Sequence, residues 1–202
     1  MKIFHCFIIG YLLGAVSPSA LLSKIKKTDL REKNTKNLGA TNTMLTFGKI
    51  YGVLVMVFDV TKAVIAVNYA SAVFPKMTYS GLVAGCAAVV GHIFPFYLKF
   101  KGGKGLAAYG GMILAVDPKL FLMLLVITIF AMLTVNYSVA MPITASILFP
   151  VLYTLRTRSV IHMVLSFAIS ALIVLVHIPN IYRIKNGNGV KIREYIKNHL
   201  FS

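Results

Sequence analysis

Acidic side chains are almost missing from this sequence. Asp29, Glu32, Asp59, Asp117 and Glu194 are the whole set in 202 residues, against 21 lysines and arginines. None of the five lies near a histidine along the chain, so the carboxylate–histidine pair that usually orients a general base is not visible. Cysteine is equally scarce. Cys6 and Cys86 both sit inside apolar segments and read as small buried hydrophobes, neither a disulfide nor a metal pair. The histidines are few, scattered and flanked by apolar residues, which leaves metal binding and any metal cofactor without a ligand set. Charged residues make up 13% of the chain, where a soluble domain carries about a quarter. A soluble globular fold is excluded on that ground. A transmembrane barrel is excluded by the absence of short segments alternating every second residue.

What is present is apolar length. The chain is 58% hydrophobic with a mean hydropathy of +0.81. Apolar runs cover residues 3–22, 50–74, 77–98, 106–116, 120–135, 139–153 and 160–178. They predict an all-α integral membrane protein, one membrane-embedded domain over residues 1–202. The first run should be kinked or broken near Ser17-Pro18. Because Pro18-Ser19 and further apolar residues follow at once, it reads as a retained helix and not a cleaved leader. Asp59 and Lys62 interrupt the second run three residues apart, on one helix face, as a structural ion pair.

The basic residues collect between the runs. Lys24, Lys26, Lys27, Arg31, Lys33 and Lys36 fill a first polar loop, and Arg183, Lys185, Lys191, Arg193 and Lys197 mark the tail. That is a positive-inside pattern facing anionic membrane lipid, with no nucleic acid called for. Parity then places the loops. The first polar loop and the segment 99–105 are two spans apart and share a side. The tail shares it if an even number of crossings follows Gly105, which the four remaining runs satisfy. The expected topology is a bundle of about seven transmembrane helices, N-terminus outside, with loops and C-terminal tail cytoplasmic and Arg156 and Arg158 outside. Residues 106–116 have only about half the length of a full crossing, so five crossings is the open alternative.

Between Lys99 and Gly105 stand three lysines and three glycines in seven residues. Glycines let backbone approach a ligand and a loop opening a helix aims N–H groups at an anion. A flexible interfacial turn with snorkelling lysines accounts for the same composition. Gly102-Gly103-Lys104-Gly105 is not a Walker A loop, since Gly105 replaces the Ser/Thr. No G-x-S-x-G elbow occurs, nor the His-x-x-x-x-Asp of thioester-dependent glycerolipid acyltransferases, nor any repeat of 20–50 residues. Polar chemistry that is neutral or cationic remains, suited to phosphate-bearing substrates.

Three blocks in order resemble the bacterial integral-membrane acyl-phosphate:glycerol-3-phosphate acyltransferases, the PlsY family. They are Asp29-Leu30-Arg31 through Asn37-Leu38-Gly39-Ala40-Thr41-Asn42 with Phe47-Gly48, Asp59 and Lys62; Gly91-His92 to Gly105; and His177, Asn180, Ile181 and Arg183. The resemblance runs almost end to end. It implies a seven-helix bundle in the bacterial inner (cytoplasmic) membrane that moves a fatty acyl group from acyl phosphate to the sn-1 hydroxyl of glycerol 3-phosphate. No cofactor is implied, and a substrate phosphate takes the hydroxyl proton. Residue by residue, it implies that Lys104 with the Gly102, Gly103 and Gly105 backbone, and with Lys101 beside them, holds a phosphoryl group. His177 and Asn180 would hydrogen-bond the substrates, and Arg183 would add a phosphate contact. Asn37, Thr41 and Asn42 would orient the loop or the glycerol phosphate. His92 is expected to cap and position the glycine-lysine loop.

The first block departs from the family. Where the family reads Gly-Ser-Gly-Asn, this chain has Asn34-Thr35-Lys36-Asn37. Thr35 keeps the hydroxyl, placing it in the catalytic set, but Lys36 resists the backbone conformations glycine permits. Leu45 stands where the family usually has a phosphate-contacting arginine, with Lys33 or Lys36 as substitute cations. Pro179 replaces an acidic residue. An active enzyme, a diverged or inactive paralogue with another phosphorylated acceptor, and a non-enzymatic lipid-binding or transport protein are the three classes in play. The last lacks the repeated halves expected of a transporter.

Overall fold

The structure is a computed structural model and describes residues 1–189 and 191–194; Lys197 of the basic tail lies outside the described residues. It is all-helical. The helices in order are α1 (Lys2–Ala15), α2 (Pro18–Ile25), α3 (Ala40–Phe47), α4 (Lys49–Val73), α5 (Ser80–Ile93), α6 (Leu106–Val116), α7 (Pro118–Val135), α8 (Ala140–Thr157) and α9 (Val160–Lys185). Among the described residues, five stretches are long and apolar enough to cross a membrane: Lys2–Ile25, Lys49–Val73, Ser80–Leu98, Pro118–Val135 and Val160–Lys185. α6 is a shorter apolar helix. α8 equals α7 in length but carries Pro142, Thr144, Ser146, Thr154 and Arg156, and is not among the five.

The chain divides into two compact units, Met1–Pro118 and Lys119–Ser202. In the first, α1 packs along α5 in the same direction. Lipid tails are as apolar as leucine, so nothing hydrophobic pushes helices together there; close van der Waals approach does the work. Gly10 and Gly14, one helical turn apart, face the backbone carbonyls of Ala84 and Ala88, and a Cβ on either would collide with those carbonyls. Small residues on both helices therefore set the spacing. α4 runs antiparallel to α5, with Gly81 and Gly85 against Val67, and Gly111 of α6 lies on the Val60 carbonyl of α4. α5 is the most enclosed element of the unit, buried almost throughout.

The break expected near Ser17-Pro18 is present. Ser17 caps α2 by accepting from the Ala20 N–H at 3.2 Å, and Pro18 opens the helix, where its missing donor costs nothing. In the second unit, α9 runs without interruption through Pro179 to Lys185. The chain after it folds back on the α7–α8 turn, where the Asn136 carbonyl and side-chain Oδ1 accept from the Ile192 and Arg193 N–H groups.

Candidate active site

The first polar loop is built on Asn42. This side chain is fully buried; its Nδ2 donates to the Leu30 carbonyl at 2.6 Å and the Asn37 carbonyl at 2.7 Å, while its Oδ1 accepts from the Thr35 N–H at 3.1 Å. With both amide hydrogens engaged, Asn42 orients the loop. Thr35 then donates its hydroxyl to Asn37 Oδ1 at 2.6 Å, and both side chains are half-buried. Thr41 is exposed at the start of α3. Asp29 is held well below the usual carboxylate range by the side-chain hydrogen bond from Arg31, with the Arg31 backbone N–H adding to it.

The glycine-lysine loop leaves α5 and is stapled to α1 by two tyrosines. Tyr11 donates to the Phe94 carbonyl at 2.7 Å. Tyr97 donates to the Ala15 carbonyl at 2.8 Å and accepts from the Ser17 N–H at 3.2 Å, so it bridges the α1–α2 break. Gly102 and Gly103 turn their N–H groups back to the Ile93 and His92 carbonyls, at 3.0 and 3.1 Å. These two donors therefore close the end of α5, in place of the anion-facing role expected of them. What the glycines contribute is closeness: a Cβ at Gly103 would collide with the His92 ring and with the Leu38 carbonyl. Gly105, at φ +80°, turns the chain into α6. Lys101 is exposed and Lys104 half-buried, the latter just ahead of the Gly105 N-cap of α6, where the helix dipole favours negative charge.

Parity of crossings expects these two loops on one side, and the structure brings them into contact, the Leu38 N–H donating to the Gly102 carbonyl at 3.3 Å. Beneath the contact lies a cluster no spacing announced. The expected Asp59–Lys62 pair forms, Nζ to Oδ1 at 2.7 Å, but His92 joins it, with Nδ1 3.2 Å from Asp59 Oδ1 and 3.0 Å from Lys62 Nζ. A carboxylate and an imidazole thus lie side by side in the fold, both within reach of the Lys62 ammonium, although no such pair is visible along the sequence. Nothing along the sequence marks Tyr11, Tyr97 or the arrival of His92 at the ion pair, save that a buried ammonium has three donors and only one carboxylate to meet them.

In the second unit, His177, Asn180 and Arg183 follow one face of α9, buried, half-buried and half-buried in turn. His177 Nδ1 lies 2.8 Å from the Ile173 carbonyl one turn back. A carbonyl only accepts, so Nδ1 carries a proton, and in the neutral ring Nε2 carries the lone pair.

A sequence model of the family described as Glycerol-3-phosphate acyltransferase matches residues 4–187. The chain belongs to this family. A glycerol-3-phosphate acyltransferase of Macrococcus caseolyticus is 37% identical over 197 residues, covering 96% of this chain and 98% of that one. One from Staphylococcus aureus is 34% identical over 201 residues. Crystal structures of PlsY (YgiH), an integral membrane glycerol 3-phosphate acyltransferase, superpose over 95% of this chain. The glycerol 3-phosphate form gives a TM-score of 0.88 at 32% identity and covers 96% of that chain; the lysophosphatidic acid form gives 0.83 at 31%.

For a member of the acyltransferase family, the altered first block is now readable. Asn34 and Lys36, at the two positions where the family carries glycine, both adopt left-handed backbone, φ +41° and +55°. Both residues thus hold a backbone conformation that glycine takes most readily. Asn34 is further held by donating to Thr46 Oγ1 at 3.0 Å, one residue past the half-buried Leu45.

Proposed function

We infer that this chain is a bacterial glycerol-3-phosphate acyltransferase of the cytoplasmic membrane, with acyl phosphate as donor. The sn-1 hydroxyl oxygen of glycerol 3-phosphate attacks the acyl carbonyl carbon. The bond from that carbon to the phosphate oxygen breaks, releasing inorganic phosphate, and a substrate phosphate takes the hydroxyl proton. The products are lysophosphatidic acid and phosphate. The observation that carries the reading is the family match over residues 4–187 together with a glycine-lysine loop held against the first polar loop.

On this reading Lys104 meets the phosphoryl group of the acyl phosphate and stabilises charge as the carbonyl is attacked, at the positive end of α6. Gly102, Gly103 and Gly105 shape the wall that brings it there, and Lys101 supplies charge at the rim. His177 and Asn180 hydrogen-bond the substrates, and Arg183 adds a phosphate contact. Thr35, steered by Asn37 and by the Asn42 staple, and Thr41 at the mouth of α3 contact the glycerol phosphate. The bundle crosses the membrane seven times, with α6 as the short crossing and α8 as the more polar one, and forms one functional domain with both basic loops and the tail cytoplasmic.

Purified protein in lipid, given acyl phosphate and labelled glycerol 3-phosphate, is expected to form labelled lysophosphatidic acid with stoichiometric phosphate. Folded protein that forms none would overturn the assignment. Lys104→Ala should lower turnover by at least about a hundredfold, the scale of removing one preorganised charge-stabilising donor; near wild-type rates would remove Lys104 from the site. Leu45→Arg should lower KM for glycerol 3-phosphate, and an unchanged KM would mean another cation already serves.

A further inference from the structure

The cluster beneath the two loops assigns its own protons. Lys62 Nζ lies 2.8 Å from the Val16 carbonyl, 2.7 Å from Asp59 Oδ1 and 3.0 Å from His92 Nδ1. An ammonium has three hydrogens and no lone pair, and three acceptors in reach account for all three. The Val16 carbonyl and the Asp59 carboxylate can only accept, so His92 Nδ1 is the third acceptor and the ring proton sits on Nε2. The other arrangement, Nδ1–H donating to Asp59 Oδ1 across 3.2 Å, points an N–H at the ammonium and strands one ammonium hydrogen. With a neutral ring, the cluster has no net charge. Side chains only 4%, 2% and 6% exposed for Lys62, Asp59 and His92 call for that.

This cluster sits where four pieces of chain meet. Val16 is the orphaned carbonyl of the α1–α2 break, Asp59 and Lys62 belong to α4, and His92 ends α5. The fourth piece is the loop itself: the His92 carbonyl accepts from the Gly103 N–H, and a Cβ on Gly103 would strike the His92 ring. Lys104 is the next residue. The His92 ring and the Leu38 carbonyl both crowd the single Cβ position of Gly103, so the imidazole, this glycine and the first polar loop press on one another.

We propose that Lys62, anchored by Asp59 and Val16, sets the tautomer and orientation of His92, and that His92 is a positioning residue for Lys104. The second half rests on the reading of Lys104 as the cation that meets substrate phosphate; the first half does not.

The test uses the full chain in lipid nanodiscs with ¹⁵N-labelled histidine, the His92 signals being those lost in His92→Phe. At pH 7 the expected ring is neutral, protonated on Nε2 and bare on Nδ1. A proton on Nδ1, or on both nitrogens, overturns the clamp whether or not the protein has activity. Gly103→Ala, which presses on the ring, should shift the His92 resonances; unmoved resonances count against the wedge. In turnover, His92→Phe keeps the ring volume and removes Nδ1. It should lower kcat by about tenfold to a hundredfold, the cost of a misplaced group, with KM for glycerol 3-phosphate little changed. Lys62→Met should do the same, and the double variant should be no worse than the worse single one. Wild-type kcat in folded His92→Phe, or losses that multiply in the double variant, would overturn the positioning role. If Lys62→Met fails to fold with an unpaired Asp59 carboxylate, Lys62→Met with Asp59→Asn carries the same comparison.

Discussion

Two side chains in the first loop show how much one residue can decide. Asn42 satisfies two carbonyls and one N–H from a fully buried position, and each buried backbone group left unmet costs about 1–3 kcal/mol. Asn42→Ala should therefore lose at least about 2 kcal/mol in unfolding measured in detergent, and raise KM for glycerol 3-phosphate as the loop loosens. Lys36 sits at φ +55°, which costs an L-residue roughly 1–2 kcal/mol. Lys36→Gly is expected to raise the melting temperature, and a lower one would show that the Lys36 side chain holds more than its backbone strains. Asp29 contributes less. Its carboxyl is lowered by the Arg31 hydrogen bond, so its contribution is present above the ordinary carboxylate range and is lost as pH falls through the lowered value. Because the pair is exposed, the loss is small. Loop order followed by amide exchange should be flat from about pH 8 to pH 5 and fall only below that.

At the scale of elements, the α1–α5 crossing positions everything above it. The stripe Gly10 and Gly14 lies directly on the carbonyls of Ala84 and Ala88, so the helices cannot separate by a methyl without losing the contacts between them. Gly14→Val should destabilise by about 3 kcal/mol or more, since a backbone carbonyl cannot yield as a side chain does. Gly39→Ala is the control. Its Cβ would meet only Asn37 Nδ2 at 3.4 Å and is expected to change stability little. Two tyrosines then transmit the crossing to the loop, Tyr11 through Phe94 and Tyr97 through Ala15 and Ser17. Tyr97→Phe removes one bridging hydroxyl and should lower kcat before it lowers stability.

For the molecule as a whole, the number of crossings is the matter to measure. Seven crossings place Asp117 outside and Asn136 inside; five, with α6 and α8 non-spanning, reverse both. Single cysteines at these positions, in a Cys6→Ala, Cys86→Ala background, should react with a membrane-impermeant thiol reagent from outside at 117 and not at 136. The reverse pattern would establish five. Positions 36 and 101 should be protected together from the outside in either case, since one hydrogen bond from Leu38 to Gly102 ties their loops.

Composition along the chain was sufficient for the membrane class, the helical runs, the break at Ser17-Pro18 and the placing of the two basic loops on one side. Each of these follows from local composition or from counting crossings, and neither needs a contact. The three blocks of motif named the family and marked Asn34 and Lys36 as the places where glycine geometry had to survive. Tertiary structure alone decided which donors the loop retains. Gly102 and Gly103 face α5 because its last carbonyls needed partners. His92 meets Lys62 because a buried ammonium on α4 has a third hydrogen to place. Those needs arise only when helices far apart in sequence are packed together. A periodicity can therefore say that Asp59 and Lys62 share a face, but not what stands opposite them.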